Sequence, residues 1–183
     1  DCEATLAEYE SGDFCTVTIR PATVCGYSPR QRLDVVVNIF ANLAYNNRMI
    51  SVYGGSQVRP NIHIADMVDA YLTLLEAPTS LVSGETFNVG TENQTVLELA
   101  HTVRSVMGED IEIDVSPTAD PRSYRIDSRK IERELGFRPT RSIRNAVEDM
   151  LSAFDAGLLP DSMNDERYFN IRRMQAVSES GLL

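Results

Sequence analysis

The sequence predicts an α/β fold, and three observations carry that expectation. Short runs rich in β-branched residues, such as Phe14 to Ile19 and Met49 to Tyr53, read as strands. Longer stretches place apolar residues at helical spacing, as Ile64 to Glu76 does with Met67, Val68, Tyr71, Leu72 and Leu75. Glycine and proline fall between the two kinds of segment, at Gly12, Pro21, Gly26, Pro29, Gly54, Gly55 and Pro78.

Taken in order, residues 1 to 10 read as the end of a helix, with Cys2, Leu6 and Tyr9 at helical spacing. A helix that begins at the first residue without a cap is expected to continue a polypeptide lying upstream. Ser11-Gly12-Asp13 is a turn, and Phe14 to Ile19 is a strand buried on both faces, with Cys15 a small core residue. Arg20 to Arg32 reads as a loop beyond the carboxyl end of that strand, where open α/β sheets collect ligands. Leu33 to Asn47 is a helix. Its successor Ile64 to Glu76 takes Asp66 as its cap, and His63 before it reads as buried and hydrogen-bonded. Glu85 to Val89 is a strand that ends at Asn88 and Gly90, with Asn88 read as structural. Thr95-Val96-Leu97-Glu98 has the form of a capping box, opening a helix whose apolar face is Val96, Leu99, Ala100, Val103 and Met107. Ile111 to Val115 alternates apolar and acidic residues as an exposed strand does. Arg129 to Leu135 is a short helix closed by Gly136, and residues 142 to 155 form a last helix. No motif appears from Gly157 onward.

The 183 residues suffice for one sizeable core, and the formal net charge is −10. No basic cluster occurs, which argues against a nucleic-acid partner. Any anionic ligand must be met by local arginines against the field of the whole chain. Three cysteines without close spacing argue against a disulfide framework or a metal site. No apolar run reaches membrane-spanning length and no signal peptide opens the chain, so a reducing, cytoplasmic compartment is expected.

The stretch from Ile50 to Asp69 carries the candidate chemistry. It is a short strand ending at Tyr53, a Gly54-Gly55 turn, an extended segment with Arg59, and a helix start. Pro60 holds the Arg59 backbone extended, so the guanidinium can present its planar fork to a phosphate or carboxylate. A plain surface arginine fits the spacing equally well.

Other segments break that tie. Arg20-Pro21-Ala22-Thr23-Val24-Cys25-Gly26-Tyr27 follows a strand, Phe87-Asn88-Val89-Gly90 ends another, and Asp120-Pro121-Arg122-Ser123-Tyr124-Arg125-Ile126-Asp127 precedes the short helix to Gly136. In this order they resemble the C-terminal half of the NAD-dependent sugar-nucleotide epimerases and dehydratases, which are extended short-chain dehydrogenases/reductases. The resemblance runs to about residue 155. It implies the C-terminal part of a Rossmann-like parallel sheet plus a small mixed α/β substrate-binding domain. Residues 1–32 would end the dinucleotide-binding domain, residues 33–155 would be mainly substrate-binding, and residues 156–183 would be a tail.

The resemblance also implies roles. Pro21, Ala22 and Thr23 would lie beside the nicotinamide of NAD or NADP, with Thr23 standing where many relatives have a substrate-binding asparagine. Arg59 and Arg122 would grip a nucleotide diphosphate from two sides. Ser51 and Tyr53 would line the base pocket, although Tyr53 fits a core position as well, and Asn38 would donate to a phosphate. No catalytic residue and no metal ligand is assigned to this chain. The family's glycine-rich turn and its Tyr-x-x-x-Lys pair do not occur, for Tyr9 meets Asp13, Tyr45 meets Met49 and Tyr124 meets Ser128. The expected function is that of the substrate-binding half of an NDP-sugar epimerase or dehydratase, acting as a homodimer in full length. The alternatives are a nucleotide-diphosphate binding module without catalysis, or a reductase of a non-nucleotide substrate.

Overall fold

The computed structural model describes residues 2–120 and 122–180; Asp1 of the expected first helix and residues 181–183 of the tail lie outside the described residues. The elements in order are α1 (Cys2–Glu8), β1 (Val17–Pro21), β2 (Thr23–Cys25), α2 (Val36–Asn47), β3 (Met49–Tyr53), β4 (Val58–His63), α3 (Ile64–Glu76), α4 (Thr79–Val82), β5 (Glu85–Val89), β6 (Glu92–Thr95), α5 (Val96–Met107), β7 (Glu112–Ser116), α6 (Arg129–Leu135), α7 (Ile143–Asp155), a 3-10 turn (Glu166–Tyr168) and α8 (Asn170–Glu179). The fold is mixed α/β with mostly parallel pairing, as the sequence predicts.

The strands form three small sheets: β1 with β5, β2 with β4 and β6, and β3 with β7. All pairs are parallel except β4 with β6. β1 and β2 are one extended run interrupted at Ala22. Pro21 pairs with Val89, the Ala22 amide donates to the Val89 carbonyl at 2.7 Å, and Thr23 then takes Asn61 of β4 as its partner. The chain thus changes sheets at Pro21-Ala22-Thr23. The larger core packs α2, α5 and α7 together through Val37, Phe40, Leu99, Val103 and Met150. A second core under β1 and β5 is built from Phe87, Val89, Ile62, Met67 and Ile131.

Several elements form for local reasons already visible in the chain. Thr95 and Glu98 make a reciprocal capping box, and Ser142 with Asn145 makes a second at α7. Gly136 closes α6 with φ 69°. His63 is buried and is itself the N-cap of α3, its Nδ1 accepting from the Ala65 amide at 3.0 Å while Nε2 faces Asp149 at 3.1 Å.

Other expectations are corrected. The first strand starts at Val17 rather than Phe14 and is half-buried, because β5 covers one edge and no strand among the described residues covers the other. Phe14 and Cys15 are exposed, so Cys15 is not a core residue. Within the expected loop from Arg20 to Arg32, Thr23 to Cys25 is strand. α2 starts at Val36, not Leu33, since the Leu33 amide is drawn to the Tyr168 carbonyl at 2.8 Å. Asp66 does not cap α3. It is 1% exposed and accepts from the amides of Thr140 and Arg141 and from the Arg141 guanidinium at 2.7 Å, tying α3 to the segment before α7. The buried face of α3 is Met67, Ala70 and Leu74, whereas Val68, Tyr71, Leu72 and Leu75 are exposed. The tail is not featureless: Leu159 and Tyr168 join the larger core.

Two substitutions check this assignment by urea denaturation. Leu74→Ala is expected to cost about 2–5 kcal/mol, while the adjacent Leu75→Ala stays within about 0.5 kcal/mol. Asp66→Ala is expected to cost about 1–3 kcal/mol, since it removes the acceptor of the part-buried Thr140 and Arg141 amides and of the Arg141 guanidinium.

Candidate functional site

The site is assembled around β4. Arg59 projects from that strand and its Nη1 donates to the Val58 carbonyl at 3.1 Å and to the Arg122 carbonyl. These two carbonyls fix the guanidinium, which is 17% exposed and lies 5.8 Å over the Tyr124 ring. Its Nε and Nη2 make no hydrogen bond among the described residues, and both remain as donors for an anion.

Arg122 arrives from a segment strapped along β4 and β6. Ser123 Oγ accepts from the Val58 amide at 3.0 Å, and the Tyr124 amide donates to the Val58 carbonyl at 3.3 Å. Asn93 takes the Ile126 amide at 2.9 Å and returns a bond to its carbonyl at 3.1 Å, mimicking a further strand pairing. The Gly90 amide donates to Ser128 Oγ at 2.8 Å. Arg122 itself is 80% exposed, and its fork is taken by Asp120 through Nε at 2.8 Å and Nη2 at 2.7 Å. Asp120 Oδ2 also lies 3.6 Å from Arg59 Nη2, so one carboxylate oxygen stands between the two guanidinium groups. Hydrogen bonds from Arg122 hold the Asp120 carboxyl far below the ordinary carboxylate range, and the Arg59 charge adds to the effect.

Thr23, Arg32, Arg59, Arg122 and Tyr124 line one cavity of about 430 Å³. A second, of about 520 Å³, is walled by Pro21, Ala22 and Thr23 on one side and by Arg32 and Asn38 on the other. Thr23, Arg32 and Val35 belong to both, so the two spaces meet at the sheet change. The structure therefore brings together Pro21, Ala22, Thr23, Arg59 and Arg122. Asn38 lies in the second cavity, 3% exposed. Its Oδ1 accepts from the Gly26 amide at 3.1 Å and its Nδ2 donates to the Arg32 carbonyl at 2.8 Å, so both ends of the amide are engaged by backbone. Ser51 and Tyr53 sit on β3, paired with β7, and line neither cavity; Tyr53 is exposed.

Reading the residues alone missed Arg32 and Tyr124 on the cavity wall, Asp120 beside the two arginines, and Asn93 behind the wall. Asn93 had no available signal, because its partner Ile126 is distant in sequence. Asp120, two residues before Arg122, is a spacing at which a side chain bonds the backbone ahead of it, as here at 3.1 Å. Among the described residues no cluster of His, Cys, Asp or Glu forms a metal site, and no helix is long and apolar enough to cross a membrane.

A parallel strand that changes sheets beside a cavity lined by two guanidinium groups defines an α/β protein of Rossmann-like kind. The chain belongs to the NAD-dependent epimerase/dehydratase family, whose model matches residues 2–90. It is 30% identical over 159 residues to UDP-glucuronic acid decarboxylase 1 of Arabidopsis thaliana, covering 83% of this chain and 35% of that protein. It is 33% identical over 143 residues to the dTDP-D-glucose 4,6-dehydratase of Bos taurus, covering 72% and 38%. Among solved structures, the UDP-glucose 4-epimerase of Thermotoga maritima with UDP-glucose superposes with a TM-score of 0.73 at 27% identity, covering 85% of this chain and 51% of that one. The chain thus spans little more than a third of these curated relatives and about half of that structure.

Cys25, on the wall of the second cavity, gives a chemical readout of the site's closure. Burial pushes its thiol up to about 12, with the Glu92 charge contributing. Iodoacetamide at pH 8 is expected to label the exposed Cys2 and Cys15 first and Cys25 only on unfolding, followed by peptide mass mapping.

Proposed function

We propose that this chain supplies the sugar-nucleotide-binding part of an NAD-dependent epimerase or dehydratase. The observation that carries the reading is the shared anion position: one Asp120 oxygen is 2.7 Å from Arg122 and 3.6 Å from Arg59. A phosphate oxygen brought there meets the same two guanidinium groups, and the free donors of Arg59 take a second oxygen. The relatives support a nucleoside diphosphate sugar as the ligand class, since their names specify UDP- and dTDP-linked sugars. Thr23, common to both cavities, offers a hydroxyl to the sugar at the point where the two spaces meet.

The segment Pro21-Ala22-Thr23 fits one wall of a nicotinamide site. Ala22 is buried and apolar, its amide is already spent on Val89, and Thr23 is half-buried at the rim. NAD, when bound, supplies the reversible hydride acceptor for transient oxidation of a sugar hydroxyl. This chain's own residues hold the diphosphate, orient the sugar against that wall and keep the carbonyl-lined side dry. In this proposal the proton-transferring Tyr and Lys and the glycine-rich turn come from the part of the full-length protein that the chain does not span.

Calorimetric titration with UDP, dTDP, GDP and CDP tests the reading. Arg59→Ala is expected to weaken the preferred nucleotide at least about tenfold, the loss of one charge-assisted hydrogen bond. Arg122→Ala is expected to weaken it less, because Arg122 must first release Asp120. No binding by any of the four to the full-length protein would overturn the sugar-nucleotide reading.

A further inference from the structure

A third cavity, of about 500 Å³, lies between the C-terminal tail and the segment from Tyr27 to Gln31. Its wall includes three arginines, Arg30, Arg167 and Arg173, and two tyrosines, Tyr27 and Tyr168. No carboxylate is among its lining residues, although the chain carries a formal net charge of −10. Arg167 is forked onto Asp165 at 2.8 and 3.0 Å, and Arg173 meets Glu166 at 2.6 Å. Arg30 differs. Its Nη1 donates to the carbonyls of Gln31 at 3.2 Å and Arg167 at 3.1 Å, and it has no ion-pair partner among the described residues. The surplus positive charge of the cavity therefore rests on Arg30. The rest of the wall is amphipathic: Tyr168 is buried with its hydroxyl on the Pro160 carbonyl at 3.3 Å, and Leu159 is buried beside it.

We propose that this cavity is a second ligand site, distinct from the Arg59 cavity, that takes a small organic phosphate with a planar or apolar body. A guanidinium without a carboxylate partner supplies the phosphate contact. The volume and the mixed aromatic and aliphatic wall suit a molecule of nucleoside monophosphate size. The site also has a path to the first one. Ser28, Arg30 and Gln31 line both this cavity and the one walled by Pro21 to Thr23, so a ligand here presses on the segment that closes the sugar-nucleotide crevice.

The test titrates AMP into the full-length protein carrying Arg59→Ala, with NAD at saturation, which weakens AMP binding in the diphosphate crevice and fills the dinucleotide site. Saturable AMP binding is expected, weakened about tenfold by Arg30→Gln and restored by Arg30→Lys, with inorganic phosphate binding more weakly than AMP. Circular dichroism on each variant confirms that it is folded. No saturable AMP binding, or binding that Arg30→Gln leaves unchanged, would overturn the proposal. A UDP titration of the wild-type protein reads the Arg59 cavity separately, so either site can fail while the other stands.

Discussion

The structure depends on one extended run that serves two sheets. In a parallel ladder alternate residues bond one neighbour, and because the Ala22 amide bonds β5, the Pro21 nitrogen faces the opposite edge, where its missing hydrogen removes no bond to β5. The Ala22 amide makes the last bond to β5, at 2.7 Å on Val89, and Thr23 to Cys25 then pair with Asn61 to His63 of β4. At this change of partner Pro21-Ala22-Thr23 forms one wall of the second cavity, which Arg32 and Asn38 close from the other side. The end of β5 must also pass close to the strapped segment. A Cβ at Gly90 would meet Ile126 Cγ2 at 2.7 Å and Ala22 Cβ at 2.9 Å, so glycine is what lets that segment seat and deliver Arg122 to the opening.

The electrostatics of the crevice follow from how each guanidinium is held. Arg59 is anchored by neutral carbonyls, which orient it, with the Asp120 carboxylate 3.6 Å away, and it is mostly covered. Arg122 is held by a carboxylate in an exposed setting, where solvent screening makes an ion pair readily exchangeable. The first arginine is therefore pre-positioned and the second can move to a ligand. In the proposed site this asymmetry would let a chain of net charge −10 meet an anion without a basic patch.

Much of the fold was legible in the chain because it is written locally. The bounds of α3, β5 and α6 follow from periodicity and flanking breakers, and Thr95 with Glu98 announces α5. What was not legible depends on partners far along the chain. β6 is Glu92-Asn93-Gln94-Thr95, four polar residues with no apolar alternation, and it is a strand only because β4 lies beside it. Asp66 stands in the first turn of a helix, where a cap is the local reading, yet its partners are Thr140 and Arg141. α3 carries apolar residues on two faces, and composition alone cannot say which one meets Phe87 and Ile62. In the site, Arg59 and Arg122 could be named from motif resemblance, but the Asp120 oxygen between them could not, since it depends on the strap through Ser123 and Asn93.

The segment from Gly26 to Asp34 shows how the chain orders a charged loop from within. Gln31 is buried, with Oε1 accepting from the Ser28 amide at 2.9 Å and Nε2 donating to the carbonyls of Gly26 at 3.3 Å and Arg32 at 3.2 Å. Asn38 binds the same Gly26 and Arg32 from the helix side. Two neutral amides thus satisfy the loop's backbone from within, which a buried polar side chain must do to avoid an unpaired group. A carboxylate at either position would accept the same amide hydrogens but could donate to neither carbonyl. It would also place a poorly solvated negative charge beside Arg30 and Arg32. Amides at 31 and 38 hold the loop from within, while Arg32 pairs with Asp34 and Arg30 is left with backbone carbonyls as its partners.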